Sequence, residues 1–184
     1  MRRFFVGVVV LAVPLAALAL YVFHTKPTWY ERVRYPLRYS AIVREQAQAK
    51  DLDPALVAAV IYQESRFHSD ARSKAGAVGL MQLQPDTAQA IALRTGGTAF
   101  QVSDLTNPAI NIRYGAWYLK NLFEKYRNER LVLAAYNAGQ GNVDRWLANG
   151  QSIEFAETRD YVSSVAHLKR VYREAWRDQL YRGG

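Results

Sequence analysis

The chain has 184 residues, half of them hydrophobic and 12% aromatic, so it can form one folded domain with a real core and is not of the disordered class. It contains no cysteine, which excludes disulfides, thiolate zinc sites and a cysteine nucleophile. The formal net charge of +8 is split evenly, with +4 in residues 1–35 and +4 in the rest, and this spread does not predict a nucleic-acid partner.

An apolar run opens the chain. Arg2-Arg3 precede residues 4–23, and about 20 such residues can span a bilayer as a helix. Cleaved secretion is the alternative, because Ala17-Leu18-Ala19 could serve as a signal-peptide cleavage site. Since the run continues past that site, we favour a retained signal anchor over residues 1–25, with the remainder exported from the cytoplasm. Residues 26–36, with two prolines and several charges, are predicted to be a juxtamembrane linker.

Residues 37–184 are predicted to form a mostly α-helical domain. The apolar residues recur with helical spacing, and no stretch alternates with period two for long. Asp53-Pro54 and Asn107-Pro108 are typical of helix starts, with a capping side chain followed by a proline. Helices are predicted at 37–50, from Pro54 to about Glu64, at 85–93, 108–126, 131–136 and 157–180, with a short segment at 143–147.

One carboxylate stands out in the helix that begins at Pro54. Val57, Val60 and Ile61 lie on one face of that helix, and Glu64 takes the next position on the same face. Burial there would raise the pKa of Glu64 toward neutrality, and an acid that keeps its proton near neutral pH can protonate a leaving group. The alternative is that the helix ends at this point and Glu64 turns out to water.

The residues that follow Glu64 favour a cleft. Residues 65–77 are small, polar and contain glycine, so the helix is expected to run into a loop. Residues 79–83, Gly-Leu-Met-Gln-Leu, then return to apolar side chains with one amide among them. A half-buried acid beside such a loop is typical of a site for a polar substrate.

Neither a metal site nor a cofactor site is predicted. His24, His68 and His167 lie far apart and have no metal-ligand spacing. The sequence has no phosphate-binding loop, no dinucleotide fingerprint and no serine-nucleophile motif. Acid–base chemistry by carboxylates therefore remains as the candidate chemistry.

Cleavage of a glycosidic bond usually needs two carboxylates. The other candidate acids are placed as loop, capping or helix-start residues, namely Asp70, Asp86, Asp104, Glu154 and Glu157. If the substrate is a glycan, Glu64 must therefore act alone. A single acid suffices when the N-acetyl group of the sugar assists the cleavage.

Aromatic residues could bind sugar rings by stacking. Tyr136 and Tyr161 are the candidates for this role. Tyr114, Tyr118 and Tyr172 lie within helical apolar stripes and are predicted to fill the core.

Four motifs occur in order over about residues 37–175. They are Glu64-Ser65, Gly79-Leu80-Met81-Gln82-Leu83 with Pro85-x-Thr87-Ala88, Ala135-Tyr136-Asn137-Ala138-Gly139, and Glu157-Thr158-x-x-Tyr161-Val162. Together they resemble the catalytic domain of bacterial lytic transglycosylases of the soluble type, which is similar in fold to goose-type lysozyme. His68-Ser69 and Gln84 depart from the family pattern, at a loop and at a flanking contact.

The resemblance implies a lysozyme-like helical domain that cleaves peptidoglycan without adding water. Glu64 matches the single catalytic acid of the family, which protonates the leaving oxygen and then accepts a proton. The residues that the resemblance places along the glycan cleft are Ser73, Met81, Gln82, Tyr136 and Asn137, completed by Glu157 and Tyr161 from the last helix.

The resulting hypothesis is a membrane-anchored murein lytic transglycosylase that faces outward from the cytoplasmic membrane. Its partners would be peptidoglycan glycan strands, the membrane itself and proteins of cell-wall synthesis or of an envelope-spanning machine. One alternative is a muramidase of the same fold, which would use water. The other is a non-catalytic peptidoglycan-binding protein of envelope assembly.

Overall fold

The computed structural model describes residues 14–18 and 20–182, which fall into two compact units that divide between Pro36 and Leu37. Most of the signal anchor predicted over residues 1–25 lies outside the described residues. The described residues 14–18 and 20–25 are helical. Among the described helices, none is both long enough and apolar enough to cross a bilayer.

The segment 26–36, predicted to be a linker, contains a helix of its own. Helix α1 spans Thr28–Arg34. The two prolines of the segment do not interrupt this helix, because Pro27 is its N-cap and Pro36 lies beyond its C-terminal end. The proline content of this segment therefore marks the boundaries of a short helix.

The unit that begins at Leu37 is mostly helical, as predicted. It also contains a short 3₁₀ turn, Val102–Thr106, and a π turn, Asp178–Arg182. Within the described residues, β pairing is limited to two isolated bridges, Arg72 with Val78 and Val78 with Leu83. The helices are α2 Ser40–Ala49, α3 Pro54–Ser65, α4 Pro85–Arg94, α5 Pro108–Tyr126, α6 Glu129–Ala138, α7 Gln140–Ala148 and α8 Ala156–Ala175.

The two predicted helix starts are confirmed by their caps. The Asp53 carboxylate accepts a hydrogen bond of 2.9 Å from the Ala55 N–H, and Pro54 is the first residue of α3. The Asn107 side chain accepts from the Ala109 N–H at 2.9 Å in the same way at the start of α5. In both cases the cap satisfies an N–H group that has no partner within the helix.

Two helix ends differ from the prediction. Helix α6 continues to Ala138, so Asn137 lies inside the helix, and the turn is made at Gly139 with a φ of 86°. Helix α8 ends at Ala175 instead of near residue 180, and the chain then widens into the π turn, whose hydrogen bonds span one residue more than those of an α-helix.

Helix α3 lies at the centre of the fold and packs on α8 and α2. Every residue from Ala55 to Ile61 is at most 1% exposed. The prediction gave α3 a single apolar face, but the helix is buried on all sides, because a helix that is apolar all round packs in the interior. In the last turn burial is incomplete, since Ser65 is buried but Glu64 is only half-buried, next to the loop that leads to α4.

Candidate active site

A carboxylate and a phenol meet where α3 comes close to the start of α8. The Tyr161 hydroxyl donates a hydrogen bond of 2.6 Å to Oε1 of Glu64. Tyr161 itself is only 6% exposed. The two residues are 97 positions apart in the chain, so the packing of α8 on α3 creates this pair.

The pKa of Glu64 is raised from 4.5 to about 7. Burial is the larger cause, because it disfavours the charged carboxylate. The hydrogen bond from Tyr161 acts in the opposite direction, because it stabilises the charge. Within the described residues, no second carboxylate is among the causes of this shift. Near neutral pH, Glu64 can therefore both give and accept a proton.

The buried side-chain amide of Asn111 fixes the loop of residues 78–83, which lies beside Glu64 between α3 and α4. Asn111 has no exposed surface, and its side-chain oxygen accepts from the Met81 N–H at 2.7 Å. Its side-chain nitrogen donates to the carbonyls of Val78 at 3.0 Å and of Leu105 at 2.9 Å. Each of these bonds satisfies a backbone group or amide atom that would otherwise be buried without a partner.

Asn111 was not among the predicted site residues, although the pattern of its helix contains a signal for it. Asn111 belongs to the buried stripe of α5 together with Gly115, Leu119 and Leu122. A polar residue on such a stripe is as informative as Glu64 is on α3, because it needs buried hydrogen-bond partners.

Two small residues, Ser65 and Gly79, allow the loop to pack closely against its neighbours. The buried Ser65 hydroxyl lies 2.8 Å from the Leu80 carbonyl and 3.1 Å from the Ile61 carbonyl, so it joins the end of α3 to the loop. Gly79 has a φ of 82°, and a Cβ there would lie 2.2 Å from both the Asn111 amide nitrogen and the Leu105 carbonyl oxygen. Only glycine fits that position.

Tyr136, on α6, contacts the same loop. Its hydroxyl donates a 2.7 Å hydrogen bond to the carbonyl of Met81. Burial raises the pKa of Tyr136 well above its usual range, and the nearby charge of Glu64 raises it further. Tyr136 is therefore an uncharged neighbour of Glu64 that also supports the loop.

Met81 and Gln82 build the loop, and their side chains are engaged within it. The Met81 side chain has no exposed surface and packs so closely on Gly115 that a Cβ there would lie 2.2 Å from its sulfur. The Gln82 side-chain nitrogen donates to the carbonyls of Ala71 at 3.1 Å and Gly79 at 2.8 Å. Direct contact with a glycan was predicted for both, but the Met81 side chain does not reach the surface.

The other predicted site residues are exposed. The Ser73 hydroxyl accepts a hydrogen bond of 3.0 Å from the Ala77 N–H within its own turn. The Asn137 side-chain oxygen accepts a hydrogen bond of 2.8 Å from the hydroxyl of Thr158. Thr158 is a buried residue on α8 that was not among the predicted site residues. Glu157 lies in the first turn of α8, one turn before Tyr161. The structure thus gathers Glu64, Tyr136 and Tyr161 around the loop.

The burial of the tyrosines agrees with the prediction only in part. Tyr114 and Tyr172 are buried, at 2% and 0% exposure, as predicted. Tyr118 was also expected in the core, but it is only partly buried, and its ring lies 5.5 Å from that of Tyr136. Tyr161 is too deeply buried to offer a ring face to a sugar.

Metal ligands do not cluster in the part of the chain that the structure describes. No group of three or more histidine, aspartate or glutamate side chains there is arranged to hold a metal ion. The groups gathered beside the loop are the Glu64 carboxylate and the hydroxyl groups of Tyr136 and Tyr161.

Comparisons with known proteins agree on one family. Residues 41–158 match the family model described as Transglycosylase SLT domain. The soluble lytic murein transglycosylase of Salmonella typhimurium is 34% identical over 157 residues, which cover 76% of this chain and 24% of that protein. The membrane-bound lytic murein transglycosylase C of Histophilus somni is 34% identical over 155 residues, covering 79% and 39%.

A solved structure gives the same result. The inactive mutant of lytic transglycosylase Slt from Pseudomonas aeruginosa superposes with a TM-score of 0.74 at 35% identity, covering 79% of this chain and 25% of that chain. The chain spans about a quarter of the length of the soluble relatives that it matches. These matches confirm the resemblance and the lysozyme-like helical fold predicted from the four motifs.

Proposed function

Since the chain belongs to the Transglycosylase SLT domain family, we propose that it cleaves the β-1,4 bond between N-acetylmuramic acid and N-acetylglucosamine in murein without using water. The observation that carries this proposal is the half-buried Glu64 with a pKa of about 7. A general acid works best when its pKa lies near the operating pH.

Glu64 acts first as the acid and then as the base. With the Tyr161 hydroxyl donating to Oε1, the transferable proton is on Oε2. Glu64 gives this proton to the glycosidic oxygen as the bond from C1 to that oxygen breaks. The 6-hydroxyl of the muramic residue then forms a bond to C1 and returns its proton to Glu64, which leaves a 1,6-anhydro end.

The sequence offers no second acid placed on an apolar stripe as Glu64 is, and this favours the route without water over hydrolysis. A muramidase of the inverting kind needs another carboxylate to activate water, and a retaining one needs it as a nucleophile. A single acid is sufficient if the N-acetyl group and the 6-hydroxyl of the sugar supply the nucleophiles.

The remaining residues of the proposed site bind the glycan or hold the loop. Ser73, Asn137 and Glu157 are exposed and can contact the strand directly. Tyr136 and Tyr161 position the loop and Glu64 through their hydroxyl groups. Met81 and Gln82 contribute through the loop backbone, whose conformation they determine.

We also propose that the chain acts at the cell envelope, with residues 1–25 as a retained signal anchor and residues 37–184 as the catalytic domain. The length of the apolar run at residues 4–23 supports the anchor. Its partners there would be murein strands and proteins of wall synthesis or of an envelope machine. Intact-mass measurement of the protein from a membrane fraction tests the anchor, and loss of about the first 19 residues would refute it.

The test of the reaction compares wild type with Glu64→Gln on purified murein. We expect Glu64→Gln to lose about a thousandfold in rate, because an amide cannot supply the proton. A glutamate-to-glutamine mutant of the Pseudomonas aeruginosa relative is described as inactive, which supports the choice of variant. The matched control is Glu174→Gln, the same change at an exposed glutamate of α8, and it should keep the wild-type rate.

Mass spectrometry of the products separates the proposed reaction from its alternatives. Anhydromuramic ends are expected from wild type. Products heavier by one water molecule would identify a muramidase, and unchanged cleavage by Glu64→Gln would refute the role of Glu64. Binding of murein without any product from wild type would identify a non-catalytic binding protein.

A further inference from the structure

Two hydroxyl groups at the start of α8 each bond a polar side chain of another helix. The Thr158 hydroxyl donates a hydrogen bond of 2.8 Å to the side-chain oxygen of Asn137 on α6. The Tyr161 hydroxyl donates 2.6 Å to Oε1 of Glu64 on α3. Residues three positions apart lie side by side on a helix, with about 5–6 Å between their Cβ atoms. One face of α8 therefore holds both the exposed amide of Asn137 and the carboxylate of Glu64.

The bond between Thr158 and Asn137 joins the interior to the surface. Thr158 is only 2% exposed, whereas Asn137 is exposed in the last turn of α6. A buried hydroxyl needs a protein partner, because water does not reach it, and Asn137 supplies that partner. The bond therefore restrains a surface side chain that would otherwise change its orientation freely.

The same bond determines which atom of the Asn137 amide is left for a ligand. An asparagine side chain has one oxygen, which accepts, and one nitrogen, whose two N–H groups donate. Because the oxygen already accepts from Thr158, the nitrogen is the atom that remains for a ligand. Asn137 held in this way offers donors, and these suit the hydroxyl, ether and carbonyl oxygens of a glycan.

We infer that Thr158 is a positioning residue for the proposed reaction, which directs the N–H groups of Asn137 toward an acceptor oxygen of the glycan strand. This role rests on the proposed function, because it assumes that a murein strand at Glu64 also contacts Asn137. Thr158 itself is too deeply buried to contact the strand. Its effect on binding must therefore pass through Asn137.

The test measures binding of murein strands in the Glu64→Gln background of the full chain, so that cleavage does not interfere. Thr158→Val removes the hydroxyl and keeps the branched shape, whereas Thr158→Ser keeps the hydroxyl. Thr158→Val is also combined with Asn137→Ala, which completes a double-mutant cycle. Thr95→Val is the matched control, because the Thr95 hydroxyl donates only within its own turn, at 2.8 Å to the Ile91 carbonyl.

We expect Thr158→Val to weaken binding about five- to tenfold, the effect of one hydrogen bond, and Thr158→Ser to weaken it less than about twofold. In the Asn137→Ala background Thr158→Val should cause no further loss, because no amide is left to direct. Thr95→Val should bind like its parent. Equal losses in Thr158→Val and Thr158→Ser would overturn the inference, as would a loss that is the same with and without Asn137. Unchanged binding by Thr158→Val would also overturn it.

The orientation of the amide is tested separately by Asn137→Asp. An aspartate can still accept from Thr158, but it places an oxygen where asparagine has its nitrogen. Measured at about 0.5 M salt, which largely screens the added charge, Asn137→Asp should bind more weakly than Asn137→Ala, because two acceptors then face each other. Binding as tight as that of Asn137→Ala, or tighter, would show that the nitrogen does not face the glycan. This arm stays informative if Thr158→Val does not fold.

The two proposals fail in different ways. If wild type forms no cleavage product, the proposed function is wrong, and the double-mutant cycle on binding still decides whether Thr158 acts through Asn137. If anhydro products form but Thr158→Val binds like its parent, only the role of Thr158 is wrong.

Discussion

Replacing Tyr161 with phenylalanine tests how the pKa of Glu64 is determined. The change removes one hydroxyl, which donates 2.6 Å to Oε1 of Glu64, and leaves the ring that fills the space. This hydrogen bond stabilises the charged carboxylate and so lowers its pKa. Without it, the effect of burial is unopposed, and the pKa of Glu64 should rise above about 7.

The magnitude follows from the kind of hydrogen bond. A hydrogen bond to a charged group contributes about 1.5–3 kcal/mol, and one pKa unit corresponds to about 1.4 kcal/mol. The complete loss would therefore raise the pKa of Glu64 by about one to two units. Since Glu64 is only half-buried, water can replace part of the bond, and we expect a rise of about one unit.

The assay is the pH dependence of kcat/KM on soluble murein fragments. In the proposed mechanism Glu64 must be protonated to act as the acid, so activity should fall as pH rises through its pKa. This descending limb should lie near pH 7 in wild type and about one unit higher in Tyr161→Phe. Tyr114→Phe, at another buried tyrosine, is the control and should leave the limb in place. A limb that stays still or moves down in Tyr161→Phe would refute the reasoning.

Two further predictions concern stability. Because burial raises the pKa of Glu64 from 4.5 to about 7, the free energy of unfolding of the wild type should fall as pH rises between these values. In urea denaturation, Glu64→Gln should therefore be more stable than wild type by about 1–2 kcal/mol above pH 7, and equally stable near pH 4. A difference that does not vary with pH would contradict this. Gly79→Ala should cost more than about 3 kcal/mol, because its Cβ meets Asn111 and a backbone oxygen, whereas Gly76→Ala, with a similar φ of 87° and open space, should cost about 1 kcal/mol. Equal denaturation midpoints for the two alanine variants would show that the close approach at Gly79 is not real.

Local signals explain what the sequence predicted correctly. The caps at Asp53 and Asn107 act within two residues of the helices that they start, so pattern alone located both starts. The raised pKa of Glu64 could be predicted because a charged residue on an apolar stripe conflicts with its surroundings, and such a conflict marks a candidate site.

The parts that were missed depend on contacts between distant segments. The hydrogen bond between Tyr161 and Glu64 joins residues 97 positions apart, and that from Asn111 to Met81 joins residues 30 apart. Tyr118 shares a stripe with the buried Tyr114, but it lies partly exposed in the cavity between α4 and α5. A periodic pattern states which face is apolar, and it does not state how much of that face a neighbour covers.

Opposing effects at Glu64 suit the proposed mechanism, in which one acid performs both proton transfers. Burial alone would hold the proton so tightly that Glu64 could not serve as the base, and the Tyr161 bond alone would leave it ionised and unable to serve as the acid. With both present the pKa is about 7, where giving and accepting a proton cost nearly the same. A second carboxylate nearby would raise this pKa by repulsion and upset that balance. In the proposed mechanism Glu64 and Tyr161 therefore act as one unit, which requires α3 and α8 to pack in this arrangement.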